Sequence, residues 1–145
     1  MKDKYKNLTK NFEGLKQRPY RCSAGKLTIG YGRNLEDVGI SVSEASMLFE
    51  RDFARAEQDA LHICRDFSIN KEDLTEDRFY VLVDMSFNLG YGRLKSFKKM
   101  LTALSKGDYE GAAKEMLNSK WATQVGNRAT ALVSLMDPKK ILDKT

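Results

Sequence analysis

Histidine and cysteine are scarce in this chain, and their scarcity excludes several kinds of site. The 145 residues include one histidine, His62, and two cysteines, Cys22 and Cys64. A zinc site needs several such ligands at short spacings, and the sequence has no suitable pair. A Ser-His-Asp triad would have to use His62, which lies among acids in a predicted helix, where a structural role is more common. We therefore expect no metal site.

Two cysteines are also too few for a disulfide framework in a chain of this length. Synthesis in a reducing cytosol is therefore expected, although a single bridge from Cys22 to Cys64 stays open. The amino terminus lacks the apolar run of a signal peptide or a membrane anchor. We expect no stable membrane insertion, and any exit from the cell would depend on another protein.

Charge is unevenly distributed along the sequence. Residues 1–33 carry nine basic and two acidic side chains, residues 34–78 carry five and twelve, and the remainder carries eleven and six. Basic ends suit an anionic polymer as a partner, and both nucleic acid and peptidoglycan qualify. The composition, 41% hydrophobic and 31% charged, is typical of a soluble globular domain.

The first 32 residues predict a helix followed by a hairpin. Tyr5, Leu8 and Phe12 recur at helical spacing, and Gly14 should end the helix, which places Glu13 in its last turn. Residues 20–32, YRCSAGKLTIGYG, have β-prone residues and glycines but no helical period.

The spacing of Cys22 and Thr28 suggests a register for that hairpin. Five residues separate the two. If those five form the turn, Cys22 and Thr28 stand directly opposite each other on one face of the hairpin.

The rest of the chain is predicted to be helical. Ser41 and Glu44 form a capping box at the start of a long helix that continues to about Arg65. Further helices are expected after the caps Thr75, Ser96, Asp108 and Ser119, and the last helix should cover residues 127–136. We divide the single domain into an N-terminal lobe (1–40), a linking helix (41–67) and a helical lobe (68–145).

The residue pattern suits one class of chemistry. A carboxylate at a helix end, followed by a hairpin that can hold a water, is the kind of arrangement that glycoside hydrolysis needs. The competing interpretation is that Glu13 is an ordinary exposed acid near a basic stretch.

Several segments together resemble the phage-type lysozymes of glycoside hydrolase family 24. Glu13, Cys22 and Thr28 form E-x8-C-x5-T, and FEG, TIGYG and NL follow in the family's order. The segments FNLG, SFKKML and SKWATQVGNRATAL extend the resemblance over nearly the whole chain. It implies a mainly helical α+β lysozyme fold with a small N-terminal hairpin lobe, a helical C-terminal lobe and a cleft between them.

The resemblance also implies roles for individual residues. Glu13 would be the general acid, Thr28 would hold the nucleophilic water, and Cys22 stands where the family more often has aspartate. We favour water positioning by Cys22 over covalent catalysis, although a role as base stays open. Arg128 would pair with Glu13.

Two further positions, Phe87 and Asn88, match residues that line the family's cleft, although a phenylalanine inside this apolar run is more often a core residue. Arg33 replaces the family's usual histidine after TIGYG, which changes the site of an ion pair. Trp121 is expected to be a packing residue before it is a sugar platform.

The function implied is that of a phage or prophage endolysin. It would hydrolyse the β-1,4 bond between N-acetylmuramic acid and N-acetylglucosamine in bacterial peptidoglycan, as a monomer and without a cofactor. The enzyme would be made in the cytoplasm of the host bacterium and would reach the wall, in the periplasm, through a membrane lesion opened by another protein.

Two alternatives differ in what they predict. A lytic transglycosylase would act on the same substrate but let a sugar hydroxyl attack; a threonine placed to hold water favours hydrolysis. A basic helical module that binds nucleic acid is disfavoured because basic and acidic residues alternate on most helices and no recognition motif is present. We therefore expect no nucleic-acid partner.

Overall fold

The computed structural model describes residues 1–138, which form two compact units. The first unit is Met1–Leu48 and the second begins at Phe49. The helices are α1 (Asp3–Glu13), α2 (Leu35–Val38), α3 (Val42–Asp66), α4 (Glu76–Leu89), α5 (Tyr91–Lys95), α6 (Lys98–Ser105), α7 (Tyr109–Leu117), α8 (Lys120–Val125) and α9 (Asn127–Met136), with a 3₁₀ turn at Lys71–Asp73. The strands are β1 (Lys16–Arg21), β2 (Leu27–Gly30) and β3 (Arg33–Asn34). A mainly helical α+β fold is confirmed.

Helix α1 ends where the sequence predicts. Gly14 has φ +71°, a left-handed conformation that glycine adopts without strain, and its N–H donates to the Lys10 carbonyl at 2.8 Å. Glu13 is therefore the last residue of the helix. The hairpin that follows begins earlier than expected, at Lys16, and Pro19 lies in the edge strand β1, where the pairing is irregular.

The expected register of the hairpin is wrong. Tyr20, and not Cys22, stands opposite Thr28. The Cys22 N–H donates to the Lys26 carbonyl at 3.0 Å, so the turn contains only the three residues 23–25. Gly25, at φ +78°, supplies the left-handed residue that such a turn needs. Cys22 and Thr28 are consequently diagonal neighbours on one face rather than a direct pair.

Two elements follow the hairpin, and both are too short to be predicted from periodicity in the sequence. Strand β3 has two residues and α2 has four, and Asn34 caps α2 by accepting from the Asp37 N–H. Helix α3 then begins with the capping box that the sequence predicts: the Glu44 N–H donates to Ser41 Oγ at 3.1 Å, and the Ser41 N–H donates to Glu44 Oε1 at 2.9 Å.

The second unit is helical and holds the core. Thr75, Asp108 and Ser119 cap α4, α7 and α8 as expected. Ser96 does not cap α6: a short helix, α5, precedes it, and the Ser96 hydroxyl donates back to the Arg93 carbonyl at the end of α5. The largest of the fully buried side chains are Ile63, Val81, Leu82, Met85, Leu94, Met100, Leu101, Met116 and Met136.

Candidate active site

The carboxylate of Glu13 lies against the backbone of Gly32. A Cβ atom added at Gly32 would stand 2.7 Å from Glu13 Cδ and closer still to Oε2. Gly32 also has φ +75°, which disfavours any other residue. The second glycine of TIGYG therefore has two physical reasons to be glycine, and one of them is the proximity of the proposed acid.

Thr28 is the one side chain of the first unit, Met1–Leu48, that is both buried and polar. Thr28 is 4% exposed, and its hydroxyl donates to the Lys26 carbonyl at 2.8 Å. That bond fixes the rotamer and leaves the oxygen lone pairs as acceptors. A water molecule that donates to Thr28 Oγ1 would be held at a defined position.

The surroundings of Cys22 favour its thiolate form. The pKa of Cys22 is lowered because its sulfur lies near the backbone of Lys26 and Ala24 and near the Thr28 hydroxyl, all of which favour the thiolate. The thiol is free and partly exposed. Cys64, by contrast, is buried, and burial raises the pKa of its thiol.

Arg33, which takes the place of the family's usual histidine, is held within the first unit. Its Nη2 lies 3.1 Å from Glu44 Oε1, and its Nε donates to the Gly39 carbonyl at 2.9 Å. The loop between α2 and α3 is thus tied to the capping box of α3.

In the second unit, Arg128 forms a two-point ion pair with Asp84. Arg128 Nε and Nη2 donate to Asp84 Oδ2 and Oδ1 at 2.8 and 2.9 Å. This hydrogen bonding raises the pKa of Arg128. Burial, followed by the nearby Asp84 charge, raises the pKa of Tyr80.

Sequence reasoning missed Asp84 as a partner of Arg128. An acid inside the apolar run VLVDMSF is a usable signal, because a partly buried carboxylate usually has a charged partner. The identity of that partner, 44 positions away in sequence, could not be deduced from spacing.

A hydrogen bond joins Trp121 to Asn88, whereas Phe87 packs on the rings of Phe49 and Phe53. Trp121 is 3% exposed, its Nε1 donates to Asn88 Oδ1 at 2.9 Å, and its ring meets Phe97 edge to face. Trp121 therefore has the packing role that the sequence predicts. Phe87 is 39% exposed and its ring lies 5.7 Å from that of Phe49.

Residues 10–136 match the family model of phage lysozyme. The chain belongs to the phage lysozyme family. This lysozyme sequence is 33% identical over 142 residues to an endolysin of Bacillus phage B103, covering 94% of the chain and 51% of that protein. It is 31% identical to an endolysin of Acyrthosiphon pisum secondary endosymbiont phage 1, covering 89% of the chain and 85% of the relative.

A eukaryotic relative shows how widely such sequences occur. Probable T4-type lysozyme 1 of Dictyostelium discoideum is 28% identical over 158 aligned positions, with 91% and 92% of the two chains covered. The present chain spans about half the length of the Bacillus phage B103 endolysin, so relatives of this lysozyme differ in size.

The predicted site residues of this lysozyme fall into two sets. Glu13, Cys22 and Thr28 belong to the first unit, and Phe87, Asn88 and Arg128 belong to the second. Within residues 1–138, no helix is long and apolar enough to cross a membrane, and no group of three or more His, Cys, Asp or Glu residues could hold a metal ion.

Proposed function

We propose that this chain hydrolyses the β-1,4 bond between N-acetylmuramic acid and N-acetylglucosamine in peptidoglycan, with Glu13 as the general acid. Membership of the phage lysozyme family makes the chain a glycoside hydrolase of the muramidase class. The main support for the proposed site is that the Glu13 carboxylate lies against Gly32. Both residues belong to the same unit as the hairpin that contains Cys22 and Thr28.

The proposed reaction needs an acid and a placed water. As the general acid, Glu13 gives a proton to the glycosidic oxygen as the bond from that oxygen to the anomeric carbon breaks. Water held by Thr28 forms the new bond to the anomeric carbon from the opposite face of the sugar, which inverts its configuration. The proton that this water loses must reach a base.

Cys22 is the candidate for that base. Its lowered pKa increases the fraction of thiolate near neutral pH relative to an ordinary thiol. A diagonal position beside Thr28 lets both side chains approach one water molecule. Cys22 therefore takes the part that an aspartate takes in most of the family, without forming a bond to the sugar.

Residues of the second unit would bind the glycan and orient the acid. Asp84 engages Nε and Nη2 of Arg128, and Nη1 has no hydrogen-bond partner among the described residues. The pairing of Arg128 with Glu13 is carried over from the family resemblance as part of this proposal. Phe87 is exposed enough to contact sugar, and Asn88 keeps its amide N–H donors while its Oδ1 accepts from Trp121.

The cellular setting follows from the endolysin role. The chain would act as a monomer on the bacterial wall, after synthesis in the host cytoplasm and release to the periplasm through a lesion made by another protein. We keep the division into an N-terminal lobe (1–40), a linking helix (41–67) and a helical lobe (68–145) as part of this proposal.

A turbidity assay on outer-membrane-permeabilised bacteria, followed by mass spectrometry of the released muropeptides, tests the proposal. Clearing with reducing, hydrated products is the expected result. Products lighter by one water molecule would identify a lytic transglycosylase, and intact cells together with a salt-dependent DNA shift would favour the nucleic-acid alternative.

A further inference from the structure

The first helix of the chain has an apolar stripe at the protein surface. None of the residues Asp3–Glu13 of α1 is buried. Tyr5 is 50% exposed, Leu8 is 48% exposed and Phe12 is 78% exposed. Spacings of three and four place these three side chains on one face of the helix, and we call them the apolar stripe. Helices normally bury such a stripe, and a stripe that stays exposed is typical of a binding surface.

The rest of the surface of α1 is basic. Four lysines lie on the helix or directly before it: Lys2, Lys4, Lys6 and Lys10. Within residues 1–138, none of the four forms an ion pair. Lys4 Nζ lies 5.0 Å from the ring centre of Tyr5, and Lys10 Nζ lies 5.3 Å from that of Tyr31. No carboxylate neutralises these lysines, so their charges are available to an anionic partner.

The arrangement of the two features has the form of a helix that lies in a membrane surface. Lys6, Asn7 and Lys10 lie on the side of α1 away from the apolar stripe, whereas Lys4 lies next to it. A basic polar face opposite an apolar face with aromatic side chains is typical of helices that bind at the boundary of headgroups and acyl chains. With 11 residues, α1 is too short to cross a bilayer and would lie in its plane.

We propose that α1 attaches this lysozyme to the surface of an anionic phospholipid bilayer. The apolar stripe enters the boundary of headgroups and acyl chains, and the lysines contact the lipid phosphates. A nucleic acid would pair with the lysines but leave the stripe in water. A second copy of the chain would cover the stripe but bring the lysines of two helices together. A bilayer of neutral lipids would leave the lysines without a partner.

Flotation of the full-length protein with lipid vesicles tests the attachment. Vesicles of equal parts phosphatidylglycerol and phosphatidylcholine should bind the protein. Vesicles of phosphatidylcholine alone should bind it at least about tenfold more weakly, because each lysine near an anionic surface contributes about fivefold to the affinity. Binding should also weaken as the salt concentration rises. Equal binding to both kinds of vesicle, or binding to neither, would overturn the proposal.

Two substitutions separate the contribution of the apolar stripe from that of the charges. Leu8→Gln should weaken vesicle binding about tenfold, because it removes an apolar side chain from the membrane interface. Lys4→Gln should weaken binding about fivefold. Val42→Gln is the matched control: Val42 is 85% exposed in the same unit but lies outside α1, so this variant should bind like the wild type. Unchanged binding in Leu8→Gln would show that the stripe does not enter the bilayer.

Tryptophan fluorescence reports which side of α1 enters the bilayer. On addition of the phosphatidylglycerol vesicles, Leu8→Trp should shift its emission to shorter wavelength and be quenched by brominated lipid. Asn7→Trp, on the polar side of the helix, should show neither change. Trp121 is buried and is common to both variants, so a difference between them comes from α1. The same response in both variants would reject insertion of the stripe.

The other partners predict different results. A dimer in analytical ultracentrifugation that Leu8→Gln dissociates, without vesicle binding, would overturn the proposal in favour of a second copy. DNA binding that Lys4→Gln weakens and Leu8→Gln does not, again without vesicle binding, would overturn it in favour of nucleic acid. Hydrolysis of soluble glycan strands should be unchanged in Leu8→Gln. Wild-type hydrolysis without vesicle binding would therefore reject the attachment and leave the proposed reaction standing.

Discussion

The carboxylate of Glu13 lies so close to the Cα atom of Gly32 that a methyl group at position 32 would overlap it. Gly32→Ala should therefore displace the proposed acid and also strain the backbone, where φ is +75°. We expect a loss of stability of about 1–3 kcal/mol and a much larger fractional loss of lytic activity. Thermal melts and turbidity assays measure the two effects.

Gly39→Ala is the matched control for that substitution. Gly39 has φ +64°, but nothing lies within 4 Å of an added Cβ. Gly39→Ala should show similar backbone strain but keep the lytic activity of each folded molecule. Equal activity losses in the two variants would mean that the contact between Glu13 and Gly32 has no part in catalysis.

Arg128→Ala should lower both stability and activity. Removing the guanidinium leaves Asp84, whose side chain is 15% exposed, as an uncompensated carboxylate. The unpaired Asp84 carboxylate should lower the free energy of unfolding by about 1–3 kcal/mol, which denaturant unfolding measures. The double variant Asp84→Asn with Arg128→Ala should recover part of the stability. Its lytic activity should stay low, because the proposed role of Arg128 in the site is still missing.

The thiol of Cys22 should be alkylated by iodoacetamide much faster than that of Cys64. Its pKa is lowered, so the reactive thiolate persists to lower pH, whereas burial protects Cys64 and raises its pKa. The alkylation rate should rise with pH through a midpoint below that of an ordinary thiol. Peptide mapping after timed labelling locates the modified residue.

The effect of that alkylation on lysis tests the role of Cys22. The capped wild type should lose activity, and Cys22→Asp should stay active and resist the reagent although it retains Cys64. Cys22→Ser should be much less active than Cys22→Asp, because a serine hydroxyl can position a water but cannot act as a base near neutral pH. A sugar trapped on Cys22 would establish a nucleophile and reject the inverting mechanism, and normal lysis by the alkylated protein would place Cys22 outside the site.

The capping box at α3 should make part of the stability dependent on pH. The pKa of Glu44 is lowered, first by the Ser41 backbone N–H and then by the Ser41 hydroxyl and Arg33. A carboxylate with a lowered pKa stabilises the folded state above its unfolded pKa and loses that effect as pH falls through the folded value. Glu44→Gln should therefore be less stable than the wild type near neutral pH, and the difference should vanish in acid. A difference that stays constant across pH would contradict this.

Local signals in the sequence predicted much of the fold. Gly14 ends α1, the capping box starts α3, and Asp108 caps α7, because each feature depends on residues within one helical turn. Elements shorter than about two turns, such as α2 and α5, lack a period to detect. Ser96 was assigned to the wrong helix for that reason.

Relationships over longer distances were harder to predict. The spacing between Cys22 and Thr28 does not show whether the turn contains three residues or five. The turn contains three because Gly25 adopts a left-handed conformation. Residue spacing does not show the pairing of Asp84 with Arg128 either. The resemblance to the family predicts Glu13, Cys22 and Thr28 as site residues, and the structure adds a contact between Glu13 and Gly32 that explains the glycine at position 32.

Glu13→Gln tests the central claim most directly. The amide keeps the shape of the side chain but has no acidic proton for the glycosidic oxygen, so turbidity clearing should fall about 10²-fold to 10⁴-fold with an unchanged melting temperature. Asp3→Asn, the same change in the first turn of α1, should retain wild-type activity. A folded Glu13→Gln enzyme that clears cells at more than about a tenth of the wild-type rate would show that Glu13 is not the general acid.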